Sequence, residues 1–203
     1  MRATLLEPLP IPLPREGARG SGAAWEDRMN GLPKAFAVVN PPTVTAMIKA
    51  VDGLRRLLEA LTSGQAPALG FSDTDLHAFC RSAVTGQRGS LGRTQPGSWS
   101  VAANDAGMPA DARVDFVFTP TYIVVAILTG ALQRFPRLAS DIHGYEDALR
   151  RGMEFAMLRG LQGHGVEAVE GAADARRILR LGGVDRFLRR HPDFCPALAE
   201  ALE

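Results

Sequence analysis

Lysine is nearly absent from this chain: Lys34 and Lys49 are the only two. The remaining basic residues are arginines spread along the sequence, which reads as bacterial-like genomic base composition rather than a surface built for one partner. Charge of one sign does not accumulate either. With 23 Lys+Arg against 22 Asp+Glu, the formal net charge is +1. That balance gives no electrostatic footprint for nucleic acid or an anionic membrane. Cysteine is scarce: Cys80 and Cys195 cannot form a disulfide framework, so free thiols in a reducing, cytoplasmic setting are expected. An uninterrupted leader run is missing too. Leu5, Leu6, Leu9, Ile11 and Leu13 are broken up by Glu7 and prolines, unlike the apolar core of a signal peptide. The longest uncharged stretch, Phe116 to Gln133, spans about eighteen residues and contains threonines, a proline and a glutamine. A buried core helix suits it better than a membrane span.

What is present is a globular composition, 46% apolar and 22% charged. Residues 1–22 are rich in proline, glycine and arginine and have no period, so a disordered tail is expected, followed by one domain over 23–203. Ala23 to Val39 reads as helical, with Trp25, Met29 and Leu32 on one face. Asn40-Pro41 fits a helix cap followed by proline in the first turn. The clearest helix covers 42–62, where Val44, Met47, Ile48, Val51, Leu54, Leu57, Leu58 and Leu61 recur at three- and four-residue steps. Ser72-x-x-Asp75 is a capping-box variant opening a helix over 73–85. The two helices read as an antiparallel hairpin.

A long irregular loop, about 86–118, follows. Compact domains rarely keep so long an irregular stretch without a use for it. Val114, Phe116 and Phe118 alternate and could form a short strand. The preferred reading is a helix over about 120–135, with Thr119 as cap and Pro120 in its first turn. So apolar a helix should be central. In the next helix, Tyr145 to Arg159, the residues Ala148, Gly152, Ala156 and Gly160 fall at four-residue steps and make a ridge of small side chains. A glycine-rich connection over 161–171, a helix over 170–181 and two short C-terminal helices complete the pattern. The expected fold is all-α, a compact domain of roughly seven or eight helices built from hairpins around the central one. The hairpin succession is similar in architecture to a piece of an α/α toroid, the scaffold of many carbohydrate and terpenoid enzymes. Architecture alone does not fix activity.

Candidate chemistry is sparse. His164 lies between glycines in Gly163-His164-Gly165, where it could be an acid, a base or a hydrogen-bond donor, or simply favour a helix C-terminus. Asp115, flanked by Val114 and Phe116, is expected to be buried and paired, with Arg113 or Arg159 as partner. Trp99 either anchors the loop on the core or stacks on a ligand. Tyr122 could present its hydroxyl at a cavity mouth. Asp141, His143 and Glu146 could bind metal, but acids in a helix's first turn have an ordinary explanation in the helix dipole. His143 and His164 bracket one helix and stand roughly 24 Å apart, too far to share an ion. Arginines among Gly86, Gly89 and Gly92 could grip an anion, but no P-loop pattern follows them. No metal or cofactor is expected. Two functions remain: a small-molecule or protein binding module, with a homo-oligomer left open, or a small enzyme. In the enzyme, Asp115 and His164 would be the acid–base pair, and Trp99, Tyr122, Arg159 and Thr119 would line the cleft.

Overall fold

The computed structural model describes residues 31–87, 96–104, 108–160 and 166–203. Among the described residues the fold is all-α, with no strand and a single isolated parallel bridge between Val39 and Ala102. The first helix, α1 (Val44–Thr62), starts at Thr43, whose hydroxyl oxygen accepts from the Ala46 N–H at 3.4 Å. It buries Met47, Val51, Leu54, Leu57 and Leu58. Val44 and Ile48, read as part of that stripe, stand exposed at its flank. The second helix, α2 (Asp73–Gly86), has the capping box expected of Ser72 and Asp75. The Asp75 N–H donates to the Ser72 hydroxyl at 3.1 Å, and the Ser72 N–H donates to the Asp75 carboxylate at 2.8 Å. That backbone N–H, the Ser72 hydroxyl and the Lys34 ammonium hold the Asp75 carboxyl below its ordinary pKa. Both helices pack against the central helix.

The central helix begins earlier than expected. Ala110–Arg113 (α3), a π-helical segment Val114–Phe118 and Thr119–Arg134 (α4) follow one another with helical dihedrals at each junction. Val114–Phe118 is therefore not a strand, and Thr119 is not a cap. Thr119 is itself helical, and its N–H donates to the Val114 carbonyl five residues back. The reason lies in Pro120. Proline has no N–H to offer the carbonyl four residues earlier, and its ring crowds that carbonyl. A local widening to the five-residue spacing relieves the crowding. The Phe116 carbonyl left over accepts instead from the Val101 N–H at 3.0 Å.

That bond belongs to a set fixing residues 96–104, an irregular strap laid over the start of the central helix. The Trp99 N–H donates to the Thr121 hydroxyl at 2.9 Å, and that hydroxyl donates to the Val117 carbonyl at 2.6 Å. The Val39 N–H donates to the Val101 carbonyl at 2.7 Å, and the Ala103 N–H to the Val39 carbonyl at 3.1 Å. Residues 31–39 are accordingly irregular rather than helical, which corrects the sequence expectation for that stretch. Gly31, with φ of +101°, Pro33 and the bond to the strap disfavour a helix there. The expected helical residues 23–30 and the tail 1–22 lie outside the described residues. The cap role assigned to Asn40 falls to Thr43.

Beyond the central helix come α5 (Leu138–Asp141), α6 (Tyr145–Gly160), α7 (Val166–Leu181), α8 (Val184–Arg190) and α9 (Pro196–Leu202). Helix α7 starts some residues before the expected position, so the glycine-rich connection is shorter than read. The small ridge of α6 does the job its spacing suggests: Ala148, Gly152 and Ala156 are all buried. A Cβ on Gly152 would sit 2.5 Å from Trp99 Cζ3 and 2.8 Å from Val125 Cγ2. Tyr145 closes the same core, its hydroxyl donating to the Leu128 carbonyl at 2.7 Å and lying 3.9 Å from Cys80 Sγ. The run Val114–Arg134 is long and apolar enough to cross a membrane, but 72% of its most apolar window is buried inside the protein. Burial all round is what a core helix shows.

Candidate functional site

Among the described residues, the sequence candidates occupy separate settings. Trp99 has no exposed surface; its indole N–H donates to the Ala83 carbonyl at 2.7 Å near the end of α2. It anchors the strap, the first of the two readings. Asp115 is exposed, contrary to the burial expected of it. The π-helical segment turns it to solvent while Phe116 and Val117 face inward. Tyr122 is buried in a small cluster with Ala156 and Ala175, and that burial pushes its phenol pKa up. Thr119 is half-buried. His164 and the side chain of Arg159 lie outside the described residues. Asp141, His143 and Glu146 are exposed. His77 meets Phe135 edge-on at 5.5 Å, and His191 lies against Phe187 at 4.6 Å.

A cleft lies elsewhere, at the C-terminal half of the central helix. Its apolar wall is built by Leu58 and Leu61 of α1, Leu76 of α2, and Ala126 and Ile127 of α4. Its other wall is the junction of α7 and α8, where two glycines shape the chain. Gly182 sits directly against Ala126, closer than any side chain would permit. Gly183 takes the left-handed conformation, φ +75°, and its carbonyl accepts from Gln133 Nε2 at 2.8 Å. The cleft measures about 370 Å³, within the range of small-molecule sites.

Three arginines line it: Arg134, Arg180 and Arg186, with no carboxylate among the lining residues. Arg134 is paired with Asp73 at 2.8 Å and stacks over Phe135 at 5.2 Å. Both partners of that pair are about half exposed, so it contributes at most about 1 kcal/mol. Arg180 donates to the Leu202 carbonyl, which ties it to the C-terminal helix. Arg186 has no ion-pair partner among the described residues. Arg176 and Arg177 border an adjoining open depression with Arg180 and Leu181, the latter 50% exposed. Arg180 and Arg186, both exposed and without a carboxylate partner among the described residues, leave that side of the cleft positive.

This grouping was readable in the sequence and was missed. Arg176, Arg177, Arg180, Arg186, Arg189 and Arg190 fall within one short segment, opposed there by Asp185 alone. A near-neutral total charge hid a local excess, and the arginines are not evenly spread as first read. The apolar half of the cleft carried no such signal, because Leu58, Leu61 and Ile127 are indistinguishable in sequence from core positions. The chain matches no protein-family model, no curated protein and no solved structure.

Proposed function

We propose that this protein is a small-molecule binding module whose ligand site is the arginine-lined cleft between the central helix and the α7–α8 junction. One observation carries the reading: a cavity of ligand size with an apolar wall on one side and the guanidinium groups of Arg134, Arg180 and Arg186, with no lining carboxylate, on the other. Few convergent polar groups on an apolar background are what a ligand pocket needs for orientation and affinity together. The helical shell supports the cleft from several sides, so little ordering would accompany binding. The proposal also places the protein in a reducing compartment, where Cys80 and Cys195, both buried and free, stay as thiols.

The test is a thermal-shift screen of apolar-tailed compounds on the wild type and on Thr62→Trp. Thr62 is an exposed lining residue, so the indole should occlude the cleft without touching the core. Compounds that stabilise the wild type should lose their effect on the variant. Hits that stabilise both proteins equally would place binding elsewhere and overturn the reading.

A further inference from the structure

We propose that the ligand is an amphipathic anion, its acidic head held by Arg180 and Arg186 and its apolar tail lying along Leu58, Leu61 and Ile127. This rests on the cleft being the ligand site. The division of the lining is what selects the class. A purely polar anion such as a sugar phosphate would make no use of the cleft's apolar wall, where Leu61 is more open than Leu58 or Ile127. An uncharged apolar molecule would leave the exposed guanidinium groups of Arg134, Arg180 and Arg186 without any bond from the ligand. A cationic amphiphile would meet three arginines and no carboxylate. An acid on an alkyl or isoprenoid chain satisfies both walls at once.

The arginines differ in what they offer. Arg186 has no partner among the described residues, so an incoming head displaces nothing. Arg180 is held by the Leu202 carbonyl through one of its nitrogens, which fixes its direction and leaves further N–H donors for the ligand. Arg134 already shares Asp73 and stands as the outer, exchangeable member. The guanidinium fork accepts either a carboxylate or a phosphate in paired hydrogen bonds. Both heads therefore belong to the class, and the experiment separates them.

Isothermal titration of the full chain with decanoate, decyl phosphate, decanol and decyltrimethylammonium, each below its micelle concentration, tests the proposal. Decanoate or decyl phosphate should bind, and the tighter of the two identifies the head. Affinity should rise about fourfold for each methylene added until the cleft is full. Decanol should bind at least about tenfold more weakly than decanoate, and the cation should not bind. Arg186→Gln, an exposed substitution, should cut the preference for decanoate over decanol by about tenfold. If decanol binds as tightly as decanoate, and Thr62→Trp abolishes both, the cleft stands and the anionic head is refuted. If Arg186→Gln leaves the preference intact, the head assignment is refuted. If no amphiphile binds, or Thr62→Trp changes nothing, the cleft itself is the wrong site and both proposals fall.

Discussion

Replacing glycine by alanine inside a helix normally stabilises it, by about 1 kcal/mol. Two glycines of this protein should respond with opposite signs. In α1, a Cβ on Gly53 would meet only Pro33, at 3.8 Å and 3.9 Å, which is ordinary contact. Gly53→Ala should therefore gain up to about 1 kcal/mol. In α6, a Cβ on Gly152 would lie 2.5 Å and 3.0 Å from the Trp99 ring and 2.8 Å from Val125. Comfortable carbon–carbon contact needs roughly 3.5–4.0 Å, so something must move by about 1 Å. Trp99 cannot easily yield, because it is fully buried and its indole N–H is bonded to the Ala83 carbonyl. Overpacking of this kind costs about 1–3 kcal/mol, and the tight geometry argues for the upper part of that range. After the propensity gain, Gly152→Ala should lose about 1–2 kcal/mol. For a chain of this length that is a fall in Tm of roughly 2–8 °C. Urea unfolding followed by circular dichroism would measure both variants. A control, Trp99→Phe, should relieve the indole part of the clash though not the contact with Val125, so that adding Gly152→Ala to it costs measurably less than in the wild type. If Gly152→Ala stabilises the protein as Gly53→Ala does, the indole does not sit against α6 and the strap is misplaced.

Three further outcomes follow from buried contacts. Thr121→Val keeps the shape of the side chain but leaves the Trp99 N–H without its acceptor; urea titration should show a loss of about 1–3 kcal/mol, most of it recovered by Thr121→Ser. Gly182→Ala puts a methyl into the backbone of Ala126, which cannot give way; a loss near or above about 3 kcal/mol is expected, with weaker binding in the neighbouring cleft. Burial pushes the Cys80 thiol from 9.0 up to about 12 and raises the Tyr145 phenol well above its ordinary value. Over that range the unfolded chain releases the Cys80 proton that the folded chain keeps, and above about pH 10 it releases the Tyr145 proton too, so stability should fall as pH rises from about 9 to 12, by up to about 1.4 kcal/mol per pH unit for each titrating group. Urea midpoints across that range should show the decline, shallower in Cys80→Ala; a flat profile in the wild type would contradict the burial.

Periodicity carried the helices well. The stripe of α1, the Ser72–Asp75 box and the small ridge of α6 are local patterns, and local patterns are what a sequence displays directly. The start of the central helix was not legible, because Pro120 looks like a beginning when read alone. Only a remote donor, the Val101 N–H, lets a helix run through it. Residues 31–39 failed for the same reason: their partner is the strap, distant in sequence. Trp99 was read as either an anchor or a ligand contact, and which of the two it is depends on Gly152 and Ala83, which sequence cannot bring beside it. Asp115 was misjudged from its neighbours, since alternation along a strand and rotation around a helix send the same residue to different faces. The arginine cluster was visible all along but was averaged away in the total charge.

The strap has no regular secondary structure, yet its amides at Trp99 and Val101 are bonded to the central helix's own first turns. Amide hydrogen exchange should therefore find two of the slowest protons of the molecule in what looks like a loop, released only when the whole domain opens. Slow deuterium uptake and irregular backbone would coincide here, and a protease seeking a soft connection would have to cut elsewhere.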